Sequence, residues 1–478
     1  MLAGVAGILL TAPLSLQQAV APRPAVGWVL TGLGAALAVG CVRSRWTPPQ
    51  WATTASSLIC VVFCIITVAL GVSQTAAAVS LDDRQLSCTD DVAPDALIGG
   101  QELLHAINPF THFNVLRAEQ QLGCTTYKAT PLRSGIFAYA ASPPSDEAIQ
   151  TAAEATLAGH PSGGLLDGFN YPAGTAVTGI LGPRGLVIAS PLAMLLAGLV
   201  AVRRTPPRAQ RAFGLALGAQ TGALALVGAA RPDALVAALL IIACTHRRSW
   251  AGGIALGIAC ATKQTAWFVA PALLALAWRE REGNYARFVI GALAGFAVLN
   301  LVFIAATPGA WLQAVLGPET SPTFPLGYGP VGAVGTGAGL TLGVGILSSL
   351  MFAAVAGGTA ICLVAPRSWA PVGVIVASLG LWVGPRSLGY YIALLGGSSP
   401  SAPSLHRQCR PQRTDRGAHR TYRVPFVAHD GPTPDGGPGY WATVAGTRFV
   451  LCKGTQRRRR SAINSVRQTA RLSRKAGW

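Results

Sequence analysis

Three aspartates and three basic residues could do chemistry in this otherwise apolar chain. The aspartates are Asp90, Asp91 and Asp95, and the basic residues are Arg231, Lys263 and Arg386. A carboxylate can accept the proton of an attacking hydroxyl group as a general base. Basic groups can stabilise the negative charge that develops on a departing phosphate. A structural interpretation stays open for both sets, because acids cap helix starts and long basic side chains extend towards water from helix ends.

Long apolar segments are the elements that must position these residues. The 478 residues are 51% hydrophobic and only 12% charged, and the mean hydropathy is +0.45. A soluble globular protein carries about 25% charged residues. This composition excludes a soluble enzyme, a fibrous protein and a fully disordered chain. It predicts an all-α, polytopic membrane protein with about 9–11 spans, some of them short or broken.

The short spans lie in the middle of the chain. Segments 234–245, 250–262 and 265–278 have fewer than the roughly 20 apolar residues that a helix needs to cross the bilayer. They predict broken or partly inserted helices, which are tolerated where the backbone packs inside protein or lines a cavity. We expect N-terminal membrane anchor helices in residues 1–56 and the main membrane domain in residues 57–398.

Arginines fall in alternate loops, and this pattern predicts the orientation in the membrane. They are Arg43, Arg45, Arg203, Arg204, Arg208, Arg211, Arg247, Arg248, Arg279, Arg281, Arg287 and Arg367. Loops enriched in Lys and Arg usually lie on the cytoplasmic side. The opposite set includes Lys263 and residues 80–173, and residues 80–173 hold 11 acids against 4 Lys and Arg. We therefore predict a multi-pass protein of the plasma membrane with the 80–173 loop on the outer face.

The long loop contains a predicted helix and two cysteines. The apolar spacing from Asp95 to Ile107 predicts a helix that could lie along the membrane surface, and Asn108-Pro109 is expected to end it. Cys88 and Cys124 flank this helix. Disulfides persist on an oxidising outer face, so these cysteines are a candidate pair, with two free thiols as the alternative.

Five short motifs occur in one order along the chain. They are Asp91 to Phe110, Asn170-Tyr171-Pro172, Arg231-Pro232-Asp233, Gly253 to Phe268 around Lys263, and Arg386-Ser-Leu-Gly-Tyr390-Tyr391. Together they resemble the C-class integral-membrane glycosyltransferases, in particular the bacterial mannosyltransferase-like members that use polyprenol-phosphate sugars. The resemblance covers residues 57–396. Phe110 stands where the family usually has Tyr, Ala106 where it has Gly, and Ala173 where it has a second Pro.

The resemblance implies a membrane glycosyltransferase. Such an enzyme would move a mannose-like or arabinose-like sugar from a polyprenyl-phosphate donor to a glycolipid or polysaccharide acceptor in the cell envelope. Asp91 or Asp95 would be the catalytic base, and several acids compete for that role. The residues expected to bind substrate are Tyr171, Arg231, Lys263 and Arg386. We expect membrane lipid as a partner, no cofactor, no metal and no nucleic-acid partner.

Two other functions remain open, and with them whether the chain is an enzyme. A secondary transporter or lipid flippase without glycosyl transfer would also use broken helices. Such a protein is expected to bury ionisable residues in the middle of its spans, and the spans here are almost free of them. The remaining possibility is a truncated or degenerate membrane protein without activity.

The apolar pattern stops after Leu395, and a basic tail follows. Residues 399–478 hold 16 Lys and Arg against 3 acids, with four consecutive arginines at 457–460. The lack of periodicity predicts a disordered tail. It could be a natural extension or the product of a shift in reading frame, and the abrupt end of the apolar pattern favours the shift.

Overall fold

The structure analysed is a computed structural model of the whole chain. The residues that it describes are 65, 69, 72–73, 75–88, 92–124, 130–140, 142, 144–160, 165–204, 231–280, 284–327, 344–366, 369–384, 386–387, 427–432, 438–444 and 447–451. The anchor helices predicted in residues 1–56 lie outside this part of the chain. So do Asp90 and Asp91, the first two aspartates of the predicted catalytic cluster.

The first and larger of two compact units, Met1–Leu405, is mostly helical in its described residues. The helices before the first long span are α1 (Asp83–Ser87), α2 (Val92–Leu104), α3 (Pro109–His112), α4 (Val115–Gln121), α5 (Asp146–Leu157) and α6 (Ala173–Gly179). The later ones are α7 (Gly182–Arg204), α8 (Asp233–Thr245), α9 (Trp250–Thr262), α10 (Thr265–Arg279), α11 (Tyr285–Ala306), α12 (Pro308–Thr320), α13 (Val344–Val364) and α14 (Ala370–Val383). The prediction of an all-α, polytopic helical protein is confirmed.

Three described helices are long and apolar enough to cross a membrane. They are Gly182–Arg203, Tyr285–Ala306 and Gly345–Val364. Between them lie α8 and α9 with 13 residues each and α10 with 15. At about 1.5 Å per residue, a helix of 13 residues spans only about 20 Å of the roughly 30 Å hydrocarbon layer. The predicted short helices are therefore present, and their ends lie beside longer helices.

Arginine-containing turns meet at one end of these helices. Arg247, which follows α8, donates from Nε and Nη2 to Oε1 of Glu280 at 2.9 and 2.7 Å, and Arg248 donates to Oε2 at 2.9 Å. Glu280 follows α10, so two loops that were both predicted to be cytoplasmic lie together. Lys263, at the opposite end of α9, belongs to the predicted outer set. The loops predicted to face the cytoplasm and the turn predicted to face outward thus lie at opposite ends of these helices.

The ionisation of Glu280 follows from these contacts. Its burial acts to raise the pKa, but hydrogen bonds and positive charge from Arg247 and Arg248 outweigh burial and hold the pKa below its ordinary value. A lowered pKa in the folded state means that the ionised carboxylate is more stable in the folded protein than in the unfolded chain. Its contribution to stability is therefore present at neutral pH and disappears only as the pH falls through the lowered pKa.

Helices α9 and α11 approach closely through small residues. Gly253 and Gly257 on α9 face α11, while Gly291 and Gly295 on α11 face α9. A Cβ atom at Gly291 would lie 2.7 Å from the carbonyl oxygen of Trp250, and one at Gly295 would lie 2.5 Å from that of Ile254. Spacing of small residues by four positions brings two helix backbones together in apolar surroundings.

We expect Gly257→Ala to destabilise the protein strongly. The added methyl group would overlap the carbonyl oxygen of Ala292, and a backbone atom cannot move aside without separating the helices. Gly357→Ala in α13 is the matched control, because nothing lies within 4 Å of its Cβ position. The control should be neutral or stabilising by up to about 1 kcal/mol, since Ala favours helix more than Gly does.

Thermal unfolding of the purified variants in detergent measures this difference. Equal melting temperatures for the two variants would contradict the close approach of α9 and α11.

The helix predicted at Asp95–Ile107 is present but shifted towards the N-terminus. It begins at Val92 and ends at Leu104, because Ala106 adopts a left-handed conformation with φ 58°. Asn108 caps the following helix instead, since its side chain accepts a hydrogen bond from the amide of Phe110 at 3.0 Å. The sequence pattern identified the element and misplaced both ends.

Helix α2 was expected to lie along the membrane surface, but most of it is buried in the protein. All nine residues from Val92 to Gly100 are buried, whichever side of the helix they occupy. Only the last turn and the residues after it reach the surface, where Leu104 is 65% exposed and Ile107 is 42% exposed. The idea that α2 lies along the membrane surface is therefore wrong for its N-terminal two thirds, which pack inside protein.

The second compact unit, His406–Trp478, contains a three-stranded antiparallel sheet. Its strands are β3 (Val427–Pro432), β4 (Pro438–Val444) and β5 (Thr447–Leu451), and they follow the short strands β1 (Leu326–Gly327) and β2 (Arg386–Ser387) of the first unit. Tyr440 pairs with Asp430 on one side and with Leu451 on the other. The structure describes regular pairing at these residues, and the disorder predicted for the tail of residues 399–478 stays a prediction. The β-branched and aromatic residues of β4 and β5 favour such pairing.

Candidate active site

Three short helices bring their ends together away from the arginine turns. Asp233 is the first residue of α8, Lys263 follows the last residue of α9, and Thr265 begins α10. An acid at a helix start and a base at a helix end both interact favourably with the helix dipoles. The sequence therefore places opposite charges at neighbouring helix ends.

Lys263 and Asp233 form a buried ion pair. The Nζ atom of Lys263 lies 2.6 Å from Oδ1 and 2.8 Å from Oδ2 of Asp233. Only 1% of the lysine side chain and 5% of the aspartate side chain are exposed. Lys263 is thus not a side chain that extends to water from a helix end. Its positive charge is in direct contact with a carboxylate that lies 30 residues earlier in the sequence.

Tyr171 lies against the ion pair. Its ring centroid is 5.4 Å from Nζ of Lys263, a distance at which an aromatic ring attracts a cation. The neighbouring Asn170 accepts a hydrogen bond through its carbonyl oxygen from Nε2 of Gln264 at 2.6 Å. The end of the predicted outer loop therefore packs directly on the turn that carries Lys263.

Helix α6, which follows Tyr171, forms hydrogen bonds with α9 and α11. The hydroxyl of Thr175 donates to the carbonyl oxygen of Thr262, the last residue of α9. The amide of Ala173 donates to Oδ1 of Asn300 at 3.1 Å, and Nε1 of Trp311 donates to the same oxygen at 3.0 Å. Asn300 is fully buried in α11. It fixes α6 and α12 against one long apolar helix.

Asp95 is fully buried in α2, close to the helices that carry the ion pair. Ala93, Ala96 and Leu97 on either side of it form an apolar cluster with Leu186 of α7, and Leu235 of α8 packs against that cluster. Leu235 is two residues from Asp233, so α2 and the start of α8 are neighbours. The structure thus brings the helix that carries Asp95 beside the helix that begins with Asp233.

The two predicted arginines are placed unequally. Arg231 is half-buried and lies two residues before Asp233, and its carbonyl oxygen accepts a hydrogen bond from Ser190 at 3.1 Å. Arg386 belongs to β2, and its backbone pairs in parallel with Leu326 of β1. Its side chain lies outside the part of the chain that the structure describes. Arg231 is therefore two residues from the ion pair along the chain, while the position of the Arg386 guanidinium stays a prediction.

Sequence reasoning assigned no role to several polar residues of this region, although all but Asn300 lie within the motifs that it identified. They are Asp233, Asn170, Gln264, Thr265 and Asn300. Two signals could have identified members of this set: an acid that opens an apolar segment, and an amide inside an apolar run without charges. Asn170 Nδ2 and Thr265 Oγ1 are buried, and neither has a hydrogen-bond partner among the described residues. Native proteins rarely leave buried polar groups without a hydrogen-bond partner, so the contact between the Asn170 segment and the Lys263 turn is unusual in this respect.

A further acid of the loop lies at the exposed end of α2. Burial raises the pKa of Glu102, and the positive charge of His112 opposes this effect. Its Oε2 atom is buried and finds no hydrogen-bond partner within the described residues. Glu102 is two turns of helix away from Asp95, so it belongs to a different part of the loop.

Cys88 and Cys124 form a disulfide, which is the pairing considered from the sequence. Their Cα atoms are 5.4 Å apart, and 36 positions separate them in the chain. Closing a loop of this length stabilises the folded state by about 4 kcal/mol in the chain-entropy model. The bond therefore ties the segment before α2 to the end of α4.

Comparison with known proteins does not identify a family. No protein-family model, no curated protein and no solved structure matches this chain. Among the described residues, no group of three or more His, Cys, Asp or Glu could hold a metal ion. The absence of a metal from the reaction stays a prediction, as does the resemblance to C-class glycosyltransferases.

Proposed function

We propose that this protein is a membrane glycosyltransferase that transfers a mannose-like or arabinose-like sugar from a polyprenyl-phosphate donor. The observation that carries the proposal is the contact between motifs that are far apart in the sequence. Asp233 binds Lys263, Gln264 binds Asn170, and the apolar cluster beside Asp95 meets α8. Motifs that merely resembled a family by chance would have no reason to meet at one place.

The chemistry of this region suits the reaction. A carboxylate of the segment around Asp91 and Asp95 would accept the acceptor hydroxyl proton as the anomeric carbon is attacked. The guanidinium of Arg231 and the ammonium of Lys263 would stabilise the departing phosphate. In the structure Lys263 is held by Asp233, so we expect the donor phosphate to compete with this carboxylate. The apolar spans beside the site suit a donor whose lipid stays in the bilayer.

Two departures from the family pattern have a physical reason. Ala106 stands where the family has Gly, and its φ of 58° is a left-handed conformation that Gly adopts most easily. Ala173 stands where the family has a second Pro, and its amide donates to Asn300, which a proline could not do. Phe110 replaces Tyr and packs with its ring centroid 5.2 Å from that of Phe303. Of these details, the left-handed backbone at Ala106 supports the resemblance, because the family has Gly at that position.

The proposed orientation places the site on the outer face of the plasma membrane. The disulfide between Cys88 and Cys124 supports this, because disulfides persist in oxidising compartments. The turns that carry Arg247 and Arg248 then face the cytoplasm, as their charge favours. An acceptor glycolipid or polysaccharide of the cell envelope would meet the site from outside.

A cysteine-labelling experiment tests the orientation. In a variant that keeps only Cys88 and Cys124, we introduce Thr151→Cys on the exposed side of α5 or Ala286→Cys on the exposed first turn of α11. A membrane-impermeant maleimide added to intact cells should label position 151 and should reach position 286 only after lysis. The reverse pattern would refute the orientation.

A direct transfer assay tests the function. Membranes containing the protein are given radiolabelled polyprenyl-phosphate mannose or polyprenyl-phosphate arabinose, and label in glycolipid and polysaccharide is measured. Membranes from a strain that lacks the gene are the control. We expect gene-dependent incorporation from one of the two donors, and equal incorporation in both membranes with both donors would contradict the proposal.

The second candidate function is a secondary transporter or lipid flippase, and one observation favours it. The Asp233–Lys263 pair lies where helices of 13 residues end, which is the kind of place where transporters bind ions and substrates. A transporter would move a labelled sugar lipid between leaflets of proteoliposomes without a change of its glycosidic bond. Incorporation of label into an acceptor separates the two functions.

A further inference from the structure

A group of arginine and tryptophan side chains lies at the end of the helices opposite the candidate active site. Arg248 precedes α9 by two residues, and 44% of its side chain is exposed. Trp250 is 44% exposed, and a Cβ atom at Gly291 would lie 2.7 Å from its carbonyl oxygen. Arg287, one turn before Gly291 on the same side of α11, is also exposed. Two exposed arginine side chains and an exposed indole therefore lie on neighbouring segments at this end of α9 and α11.

The charge of this group is only partly balanced. Glu280 binds Arg247 through Oε1 and Arg248 through Oε2, so one carboxylate serves two guanidinium groups. Arg287 has a hydrogen bond to the amide oxygen of Asn284 at 3.4 Å, which leaves its charge uncompensated by that contact. The described part of this end thus carries an excess of positive charge.

Aromatic residues beside the group are typical of the membrane–water interface. Trp278, at the end of α10, is 47% exposed, and its ring packs edge-to-face on Tyr285 with centroids 5.0 Å apart. Trp and Tyr concentrate at the depth of the lipid headgroups, where one edge of the ring is apolar and the other polar. Trp250 and Trp278 stand at the ends of apolar helices, which is where headgroups are expected.

We propose that Arg248, Trp250 and Arg287 form a binding site for the headgroup of an anionic phospholipid. A guanidinium group binds the non-bridging oxygens of a phosphodiester through paired hydrogen bonds. Glu280 would hold Arg248 in place, while the indole of Trp250 packs on the upper part of the acyl chains. The site is separate from the Asp233–Lys263 region, and the proposal does not depend on glycosyl transfer.

Lipid binding to the purified full chain in neutral detergent tests this proposal. Native mass spectrometry measures the dissociation constant of phosphatidylglycerol, with phosphatidylcholine as the zwitterionic comparison. We expect tighter binding of phosphatidylglycerol to the unchanged protein. The double variant Arg248→Gln/Arg287→Gln should bind phosphatidylglycerol about 25-fold more weakly, because each basic group near an anionic lipid contributes about a factor of five.

Two further variants guard against indirect effects. Arg287→Gln alone removes an exposed side chain and should weaken binding about five-fold without altering the fold. Arg184→Gln removes a guanidinium that is 58% exposed and pairs with Asp83, outside the proposed site; it should leave binding unchanged. Equal affinity for the two lipids, or unchanged affinity in the double variant, would overturn the proposal. Competition by inorganic phosphate at the same concentration would also overturn it, since the ligand would then be a free anion.

Discussion

We expect Asp91→Asn to abolish sugar transfer almost completely while the protein accumulates normally in the membrane. Asparagine keeps the shape of the side chain but cannot accept a proton as a base. Loss of a general base typically costs about 10² to 10⁴ in rate. If the aspartate served only as a helix cap, its replacement would cost about 1 kcal/mol of stability and leave the rate unchanged. Transfer from the labelled donor in membranes of matched protein content distinguishes these outcomes.

Asp95→Asn decides which carboxylate is the base. Asp95 is fully buried in α2, whereas Asp91 heads the motif at about the spacing that the resemblance implies. The larger loss of rate should therefore follow the change at Asp91, and a larger loss at Asp95 would reverse the assignment. Asp146→Asn is the control, because Asp146 is an exposed acid of the same loop in the first turn of α5. Wild-type transfer by both single variants and by the double variant would leave the proposed mechanism without its base.

The second large effect is expected at the buried ion pair. Lys263→Met leaves the carboxylate of Asp233 buried without its ammonium partner. Removing one member of such a pair typically costs 3–5 kcal/mol, or roughly a third of the stability of an ordinary domain. We expect a fall of several degrees in the unfolding temperature of the purified protein and reduced abundance in the membrane. The same direction is expected for Asp233→Leu.

The double variant separates charge from packing. Lys263→Met/Asp233→Leu removes both charges and fills the site with apolar atoms, which is often neutral or stabilising. It should recover most of the lost unfolding temperature while sugar transfer stays low, because the phosphate-binding cation is still missing. Arg184→Met, at an ion pair whose partners are 58% and 64% exposed, should change stability by no more than about 1 kcal/mol. A double variant as unstable as Lys263→Met would contradict the assignment of the energy to an uncompensated charge.

The recovery experiment also bears on function. If the double variant regained both stability and transfer, Lys263 would be a structural residue and Arg231 would remain as the cation beside the site. The transporter alternative predicts a different result. The variants would lose the translocation of a labelled lipid, and neither they nor the unchanged protein would label an acceptor.

The sequence by itself determined the class of the protein and the order of its helices. Helical period and apolar content are local properties, so the short helices α8, α9 and α10 were placed within a few residues of their ends. Alternation of arginine loops indicated that Arg247 and Lys263 lie at opposite ends of the helices, and the structure has them so. The pairing of Cys88 with Cys124 could be considered because no other cysteines lie in the outer loop.

Tertiary structure alone decided where charge is buried and which partner it meets. Asp233 and Lys263 are 30 positions apart, and their contact depends on how α8 packs beside α9. The burial of Asp95 depends in the same way on α6 and α7, which no spacing within α2 reveals. Asn300 binds two segments that lie before and after it in the chain. Helix propensity acts over one or two turns, whereas an ion pair or a buried hydrogen bond requires side chains from distant segments to meet at atomic distances, and only the packed chain fixes those distances.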